Sequence, residues 1–366
     1  MLRAALRTLA ATSITLALVG CEDAARSVRP KPTASTGIAP MMSHETDGTA
    51  PLVLHTVAPQ ATDPAINVAL ADHYVWLDTT ARGNPKLLVF MPGTNNVPCS
   101  WTRLGQVAAR LGYHVIGLSY QNTVEVIGVC TGSPDPDCSG NMRREILDGS
   151  DVSSLVTVTW ANSIDNRVAK LLAYLAGHYP AEGWSRFLNA DSTPKWSQIA
   201  VSGQSQGAGQ AALIGKLRLV DRVVMFSGPP DLRVPGEVDA WVVIGKTPAA
   251  KYFALFHQHD HVVVGIRTNL AGFDLLRFGD PVVVEHSESP YGETHVLTTD
   301  LRPTLGCDRP NPHQSTAKNN NTPLTATPDS TPLLRDAWRY LLGARGADAV
   351  PSHIGTETAA TCSPRN

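Results

Sequence analysis

The sequence has few charged residues and almost no excess of either sign. Lys, Arg, Asp and Glu make up 17% of its 366 residues, and the formal net charge at pH 7 is −2. No long block of lysine and arginine occurs, so neither nucleic acid nor an anionic membrane surface is expected as the main partner. The apolar residues, at 43%, are sufficient to build the core of an ordinary globular protein.

Long hydrophobic runs are missing apart from one near the start of the chain. Two arginines precede an apolar stretch from about Leu9 to Val19, which is too short for a membrane span and predicts a secretory signal peptide over residues 1–20. The stretch ends in Leu18-Val19-Gly20-Cys21, which resembles the lipobox of bacterial lipoproteins. This resemblance implies cleavage before Cys21, acylation of its thiol and anchoring in the cell envelope. Glu22 in the next position implies the outer membrane if the cell is Gram-negative. A plain secretory signal and a secreted protein are the alternative.

Internal repeats are also missing, and the rest of the chain divides by composition. Residues 21–50 are rich in Ala, Ser, Thr and Pro without a hydrophobic period, which predicts a flexible tether. Residues 51–345 have short apolar runs separated by turn residues and are expected to form one folded domain, followed by a C-terminal tail over 346–366. Strand and helix signals alternate in this domain and predict an α/β fold with a mainly parallel sheet flanked by helices.

The apolar runs give the individual elements. The strand candidates are Tyr74–Leu77, Lys86–Met91, His114–Ser119, Gln198–Ser202, Arg222–Phe226, Tyr252–Phe256 and Pro281–Glu285, with His295–Thr299 as a possible further strand. Residues Ser163–Ala176 and Leu333–Leu342 carry their apolar side chains at helical spacing and are predicted helices.

The sharpest motif is Gly203-Gln204-Ser205-Gln206-Gly207. It follows the apolar run 199–201 and precedes the Ala- and Leu-rich segment 208–214, which is the strand, turn and helix setting of a nucleophile elbow. Serine at the apex of such a turn has a strained backbone, and the glycines on either side relieve the crowding. The alternative is a glycine-rich turn that only joins a strand to a helix.

These segments resemble the α/β-hydrolase superfamily. The run Lys86–Thr94 is similar to the strand and oxyanion loop of that fold, with the elbow about 110 residues later. Further segments resemble bacterial secreted or lipoprotein α/β-hydrolases of uncharacterised substrate: Tyr120–Asn122, Cys138–Gly149, Asn162–Arg167 and Trp338–Leu342. The resemblance covers about residues 50–343. It implies an α/β-hydrolase fold and a serine hydrolase that cleaves carboxylic esters through an acyl-enzyme on Ser205.

Two other functions remain open at this stage. An amide-cleaving serine peptidase of the same fold would use the same residues, and a catalytically silent lipoprotein would use the fold to bind a ligand. An intact set of serine, acid and histidine argues against the silent protein, because a binding module has no need of all three.

A serine hydroxyl needs an imidazole to take its proton, and the imidazole needs a carboxylate that orients it. In the α/β-hydrolases the acid follows the serine in the chain and the histidine follows the acid. Asp260 is the preferred acid because it directly follows the strand candidate 252–256, and the loop at the carboxyl end of that strand lies on the side of the serine. Asp231, one strand earlier, is the alternative, and Asp274 and Asp280 are weaker candidates.

Three histidines compete for the role of the base. His313 lies in a polar loop after the last strand candidate and before the final helix, where the superfamily has its catalytic imidazole, and is preferred. His295 opens an apolar run, so it is either the alternative base or a strand-edge histidine bonded to a main-chain carbonyl. His286 follows the apolar run 282–284 directly and is the weakest of the three.

The proposed chemistry also needs two main-chain amides that stabilise a developing oxyanion. Gln206 supplies one by its position after the serine. The other is expected from Thr94 or Asn95, in the turn after the strand candidate 86–91, with Gly93 letting the backbone approach the substrate. A purely structural turn is the alternative, since Pro-Gly is common in turns.

Five consecutive residues, His257-Gln258-His259-Asp260-His261, invite comparison with a metal site. They are one residue short of the ligand spacing of the metallo-β-lactamase fold, and no convincing later ligands follow. We therefore expect no metal and no cofactor. These imidazoles are expected to flank the acid of the triad or to line the pocket.

Six cysteines occur in the chain. Cys130 and Cys138 bracket a short polar loop and are expected to form a disulfide in an exported protein. Three further cysteines, Cys99, Cys307 and Cys362, are an odd number, so one of them has no partner among the other two. The sequence does not choose between a Cys99–Cys307 and a Cys307–Cys362 pair.

Residues 121–160 are longer than a plain strand-to-helix connection and are expected to form a small cap over the pocket, with Val124, Val126, Ile127, Trp101 and Trp160 as possible walls.

Overall fold

Apolar runs build the central sheet of the computed structural model, which describes residues 51–81, 85–243, 245–304, 310–326 and 330–344. Within these residues the sheet has nine strands. They are β1 (Val53–Val57), β2 (His73–Leu77), β3 (Leu87–Met91), β4 (His114–Gly117), β5 (Ile199–Gln204), β6 (Arg222–Phe226), β7 (Tyr252–His257), β8 (Val282–Val283) and β9 (Val296–Thr299). The expected signal peptide, Cys21, the tether and the tail all lie outside the described residues.

The strand order across the sheet is β1-β2-β4-β3-β5-β6-β7-β9-β8. β1 pairs antiparallel with β2, and β2 pairs antiparallel with β4. All other neighbours are parallel, which confirms the predicted α/β class with a mainly parallel sheet. Every residue of β3, β4, β5 and β7 is buried, as expected for parallel strands covered on both faces.

The helices connect and cover these strands. They are α1 (Pro59–Thr62), α2 (Thr102–Arg110), α3 (Val126–Cys130), α4 (Cys138–Asp148), α5 (Ile164–His178), α6 (Gln206–Leu217), α7 (Ala240–Val243), α8 (Val263–Gly272), α9 (Pro312–Ser315) and α10 (Arg335–Leu341). Short 3₁₀ segments span Pro98–Trp101, Trp160–Asn162, Pro180–Glu182, Trp184–Phe187, Trp196–Gln198, Ala249–Lys251, Leu275–Phe278, Val284–His286 and Tyr291–Glu293. Among the described residues no helix has the length and the apolar content needed to cross a membrane.

Two hydrophobic clusters fill the space on either side of the sheet. Alternate residues of a strand point to opposite faces, so Leu87 and Val89 belong to one cluster while Leu88 and Phe90 belong to the other. Helices α3, α4, α5, α6 and α8 contribute to the first cluster. Helices α2 and α10 contribute to the second. The described residues all belong to one compact unit.

The predicted strands and helices are found with small shifts at their ends. The expected helix Ser163–Ala176 is α5, and Leu333–Leu342 contains α10. The predicted strand Pro281–Glu285 is longer than the observed strand β8. Only Val282 and Val283 pair with β9, and a 3₁₀ segment follows them. The sequence did not predict the edge strand β1 or the helices α1, α2, α3, α4, α7, α8 and α9.

The expected cap over residues 121–160 is only partly found. Its longest element, α4, belongs to the helical layer, because its Met142, Ile146 and Leu147 are buried in the core. The part before α4 lies beside the elbow, where the main-chain amide of Val126 donates to the Gln206 side chain. A disulfide joins Cys130 to Cys138 and connects α3 with α4, as predicted. Cys99 is also disulfide-bonded, whereas Cys307 and Cys362 lie outside the described residues.

Candidate active site

Ser205 lies at the turn between β5 and α6, at the carboxyl end of a strand in the middle of the sheet. Its φ of 57° and ψ of −119° place a residue with a side chain in backbone that is costly to adopt and is typical of functional turns. The glycines allow this turn to form. A Cβ on Gly207 would lie 2.0 Å from the carbonyl oxygen of Met91, and one on Gly203 would lie 2.3 Å from the carbonyl oxygen of Gly207. Helix α6 can therefore begin directly against the end of β3.

The structure brings the side chains of Ser205, His313 and Asp260 into one hydrogen-bonded chain. His313 Nε2 lies 2.7 Å from Ser205 Oγ. His313 Nδ1 lies 2.8 Å from Asp260 Oδ2 and 3.0 Å from Asp260 Oδ1. Because an ionised carboxylate only accepts hydrogen bonds, Nδ1 carries the proton of the neutral ring and Nε2 accepts from the serine hydroxyl.

Burial and main-chain contacts hold the two partners of the serine in position. Asp260 follows β7, and its carboxylate is completely buried. Its Oδ1 also accepts from the main-chain amide of Val262 at 3.0 Å, so the carboxylate has a fixed orientation. His313 lies in the first turn of α9, and its side chain is 13% exposed. The buried carboxylate orients the imidazole through Nδ1. The partly accessible ring can reach a bound substrate, as a general base requires.

The amides of Gln206 and Thr94 are the candidate oxyanion donors. Gln206 opens α6, where the first amides of a helix have no partner within it. In the part of the chain that the structure describes, neither Thr94 N nor Gln206 N has an acceptor. Asn95 N donates to the carbonyl of Asn122 at 3.1 Å. Asn95 was the alternative donor, and its amide is engaged by this carbonyl, so Thr94 is the preferred candidate of the two.

Side chains connect the turn at residues 93–96 to the elbow. Thr94 Oγ1 donates to Gln206 Oε1 at 2.8 Å. Asn122 Nδ2 donates to the carbonyls of Gly93 and Asn96 at 2.7 and 3.0 Å. Gly93 was expected to make room for the substrate. A Cβ there would lie 2.5 Å from Gln204 Oε1, so the space that Gly93 leaves is filled by a side chain of the protein.

Asp231, the alternative acid, lies behind the elbow and pairs with Arg143 of α4. Both residues are buried, and the guanidinium contacts the carboxylate through Nη2 and through Nε at 3.3 Å. Arg143 Nη1 also donates to the main-chain carbonyl of Gln206 at 2.9 Å. Through this bond the pair supports the first turn of α6. Asp231 has no contact with His313 among the described residues. Sequence reasoning missed this role of Arg143, although the residue stands in a segment that resembled the hydrolases.

The two alternative bases lie elsewhere in the described structure. His295 stacks between Phe253 and Phe278, with ring centroids at 4.1 and 4.0 Å, and its Nδ1 lies 2.9 Å from the carbonyl oxygen of Tyr252. Burial lowers the pKa of His295, which favours the neutral ring of a structural histidine. His286 is exposed in the 3₁₀ segment after β8. Neither histidine contacts Ser205.

The histidine run at 257–261 separates into structural and site-facing members. His257 is buried, with Nε2 3.1 Å from the carbonyl oxygen of Leu301 and Nδ1 accepting from the amide of His259. His261 is 71% exposed in its side chain, and its Nδ1 lies 3.5 Å from Asp260 Oδ1. Asp260, His261 and His313 each present one possible metal-ligand atom, and these atoms lie within 4.8 Å of one another.

The arrangement combines a serine in a strained turn, a base, an orienting acid and two free amides. Ser205, His313 and Asp260 lie at hydrogen-bond distance from one another in that order, which is the arrangement that nucleophilic acyl transfer requires. The chain matches no protein-family model, and no curated protein matches it.

Proposed function

We propose that the protein is a serine hydrolase of the α/β-hydrolase fold that cleaves carboxylic esters. The observation that carries this proposal is the continuous chain of hydrogen bonds from Asp260 through His313 to Ser205. The order of these residues, serine, then acid, then histidine, is the order used on that fold. The serine stands at the end of a central parallel strand, which supports the same fold.

Acylation begins when Ser205 Oγ attacks the carbonyl carbon of the ester. His313 Nε2 takes the proton from the hydroxyl as the new C–O bond forms, and Asp260 stabilises the imidazolium through Nδ1–H. The carbonyl oxygen becomes an oxyanion, which the amides of Gln206 and Thr94 stabilise. Each such donor is worth about 3–4 kcal/mol of transition-state stabilisation. His313 then gives its proton to the leaving alkoxide, so the alcohol departs and the acyl group stays on Ser205.

Deacylation repeats these steps with water as the nucleophile. His313 takes a proton from the water molecule as its oxygen attacks the acyl carbon, and the Ser205–acyl bond breaks when Oγ recovers the proton. The products are a carboxylic acid and the regenerated enzyme. The reaction requires no cofactor. An amide substrate would follow the same path but has a poorer leaving group, which makes esters the first class to test.

The location of the protein is part of the proposal. The lipobox-like run before Cys21 supports a lipoprotein held at the cell envelope, with an ester that reaches it from outside the cytoplasm. The disulfide between Cys130 and Cys138 supports an oxidising compartment, because such bonds persist mainly in exported proteins.

Covalent labelling by a fluorophosphonate and hydrolysis of a short nitrophenyl ester test the proposed activity. We expect the wild-type protein to be labelled on Ser205 and Ser205→Ala to lose both the label and the activity. Asp260→Asn should lose about 10⁴-fold in kcat, because the ring is then held in the wrong tautomer. His295→Gln is the matched control and should remain active. A folded wild-type protein that takes no label would overturn the proposal, and faster cleavage of matched amides would favour the peptidase.

A further inference from the structure

His261 gives the candidate site a third metal-ligand side chain that the proposed reaction does not use. Its imidazole is mostly exposed, and its ring centroid lies 5.0 Å from that of His313. Both rings adjoin the same carboxylate, since His261 Nδ1 and His313 Nδ1 lie 3.5 and 2.8 Å from Asp260. Two imidazoles and one carboxylate are a ligand set typical of zinc, with a fourth position left for water.

The distances fit a small transition-metal ion. Zinc binds nitrogen and oxygen at about 2.0–2.1 Å, which at a tetrahedral centre separates two ligand atoms by about 3.3 Å. The pair of His261 and Asp260, at 3.5 Å, is already near that spacing. His313 Nδ1 lies 3.0 Å from the same oxygen, Asp260 Oδ1, and this pair has to open by only a few tenths of an ångström. The three ligand atoms all lie within 4.8 Å of one another. Since the side chain of His261 is exposed, the ion has a path from solvent.

We propose that Asp260, His261 and His313 form an inhibitory site for Zn²⁺ or a similar divalent transition metal. The inference rests on the proposed function, because inhibition presupposes that His313 is the catalytic base. An ion at this site binds His313 Nδ1 where the proton shared with Asp260 would otherwise lie. A neutral imidazole carries only one N–H, so that proton moves from Nδ1 to Nε2. Nε2 then has no lone pair for the hydroxyl of Ser205, and the base is lost without any displacement of the serine.

The ligands of this site differ from those that the spacing of the histidine run 257–261 suggests. His257 is buried with both ring nitrogens engaged, so it is not a ligand. The third ligand is His313, which is 52 residues from His261 in the chain and comes from α9. Hard cations such as Mg²⁺ prefer an all-oxygen set and should bind weakly here. The site therefore selects for metals that accept imidazole.

Zinc binding by the purified protein tests the proposal directly, by equilibrium dialysis and by calorimetry. We expect the wild type and Ser205→Ala to bind one equivalent, because the serine is not a ligand. His261→Ala should bind about tenfold more weakly or worse, since even partners outside the ligand shell contribute 10–100-fold to metal affinity. His259→Ala is the matched control from the same run and should bind zinc like the wild type.

Inhibition is measured separately, with each variant compared with its own activity without metal. Zinc should inhibit ester hydrolysis and fluorophosphonate labelling in the wild type and in His259→Ala, with recovery on addition of EDTA, whereas Mg²⁺ should not inhibit. His261→Ala should require at least about tenfold more zinc. Equal inhibition of His261→Ala and the wild type, or no binding in dialysis, would overturn the site. A protein that binds zinc through His261 but never cleaves an ester would instead refute the proposed function and leave the metal site standing.

Discussion

The side-chain amide of Gln204 donates a hydrogen bond of 2.8 Å to the main-chain carbonyl of His313. Gln204 is the last residue of β5 and directly precedes Ser205. The residue before the proposed nucleophile thus holds the backbone of the proposed base, although the two stand 109 positions apart. This contact explains how a histidine on the four-residue helix α9 has a defined distance from Ser205.

Replacing Gln204 by leucine should therefore lower the rate while the protein stays folded. A shift of about 1 Å in a reacting group costs up to about 10²-fold in rate, so we expect a 10- to 100-fold loss that falls mainly on kcat. Ester kinetics with matched circular dichroism measure this. The control is Gln198→Leu, just before the opposite end of β5, which should keep wild-type kinetics. Full activity in Gln204→Leu would show that the position of His313 does not depend on this hydrogen bond.

Removal of the Asp231 carboxylate should affect stability first. Asp231 and Arg143 are buried partners, and breaking a buried ion pair leaves an uncompensated charge that costs about 3–5 kcal/mol of unfolding free energy. Urea unfolding of Asp231→Ala should therefore show a lowered midpoint. Fluorophosphonate labelling should fall only as far as the folded fraction falls.

The double variant Arg143→Met with Asp231→Leu is the control for this pair. Apolar side chains of similar size often replace a buried ion pair without loss, so the double variant should be more stable than Asp231→Ala. If Asp231→Ala were instead fully stable and inactive, the carboxylate of Asp231 would have to act in the chemistry, and the assignment of Asp260 would fail.

The contrast between two glycines tests the geometry of the elbow. A Cβ on Gly207 would lie 2.0 Å from the carbonyl oxygen of Met91, and a main-chain atom cannot move aside cheaply. Gly207→Ala should thus destabilise the protein by about 3 kcal/mol or more, in the range of severe core strain. Gly177, in α5, has nothing within 4 Å of its Cβ position. Gly177→Ala should be neutral or stabilise the protein by up to about 1 kcal/mol. Thermal unfolding of both variants measures the difference, and similar melting temperatures would contradict this account of the turn.

Local patterns in the sequence were sufficient for much of the fold and for three residues of the candidate site. Apolar runs predicted eight of the nine described strands, because most of these strands are buried on both faces of the sheet and are therefore rich in apolar residues. The elbow is a pattern of five adjacent residues, and Asp260 and His313 were selected by where they follow a strand or precede a helix. The structure brings these three side chains together.

The residues that the sequence did not reveal act over long separations. Arg143 meets Asp231 across 88 positions, and Gln204 meets His313 across 109. Such pairs have no local period, so no window of the sequence contains both partners. The distinction between Thr94 and Asn95 also lies outside the sequence, because it depends on the carbonyl of Asn122 that accepts from Asn95.

A buried histidine far from the proposed triad should make the protein sensitive to mild acid. His73 in β2 is completely buried, and its Nδ1 accepts from the main-chain amide of Ser119 at 3.0 Å. Burial, with the nearby charge of Arg167, lowers the pKa of His73 to about 3. The unfolded chain has the ordinary histidine pKa of about 6.5. Between these values the unfolded state binds a proton that the folded state does not bind, so stability is lost as the pH falls below about 6.5.

The expected loss from His73 alone is about 1.4 kcal/mol per pH unit once the pH is well below 6.5 and above its folded-state pKa. Burial also lowers the pKa of His114 and His257, which adds losses of the same sign. Urea unfolding of the wild type at about pH 7.5 and about pH 5 measures the total. His73→Gln removes the titrating ring while its amide oxygen offers Ser119 N an acceptor, so its unfolding free energy should fall less between these two pH values. His178→Gln, at an exposed position, tests whether loss of any histidine has this effect. Equal pH dependence in the wild type and in His73→Gln would show that the buried ring takes up its proton without opening the fold.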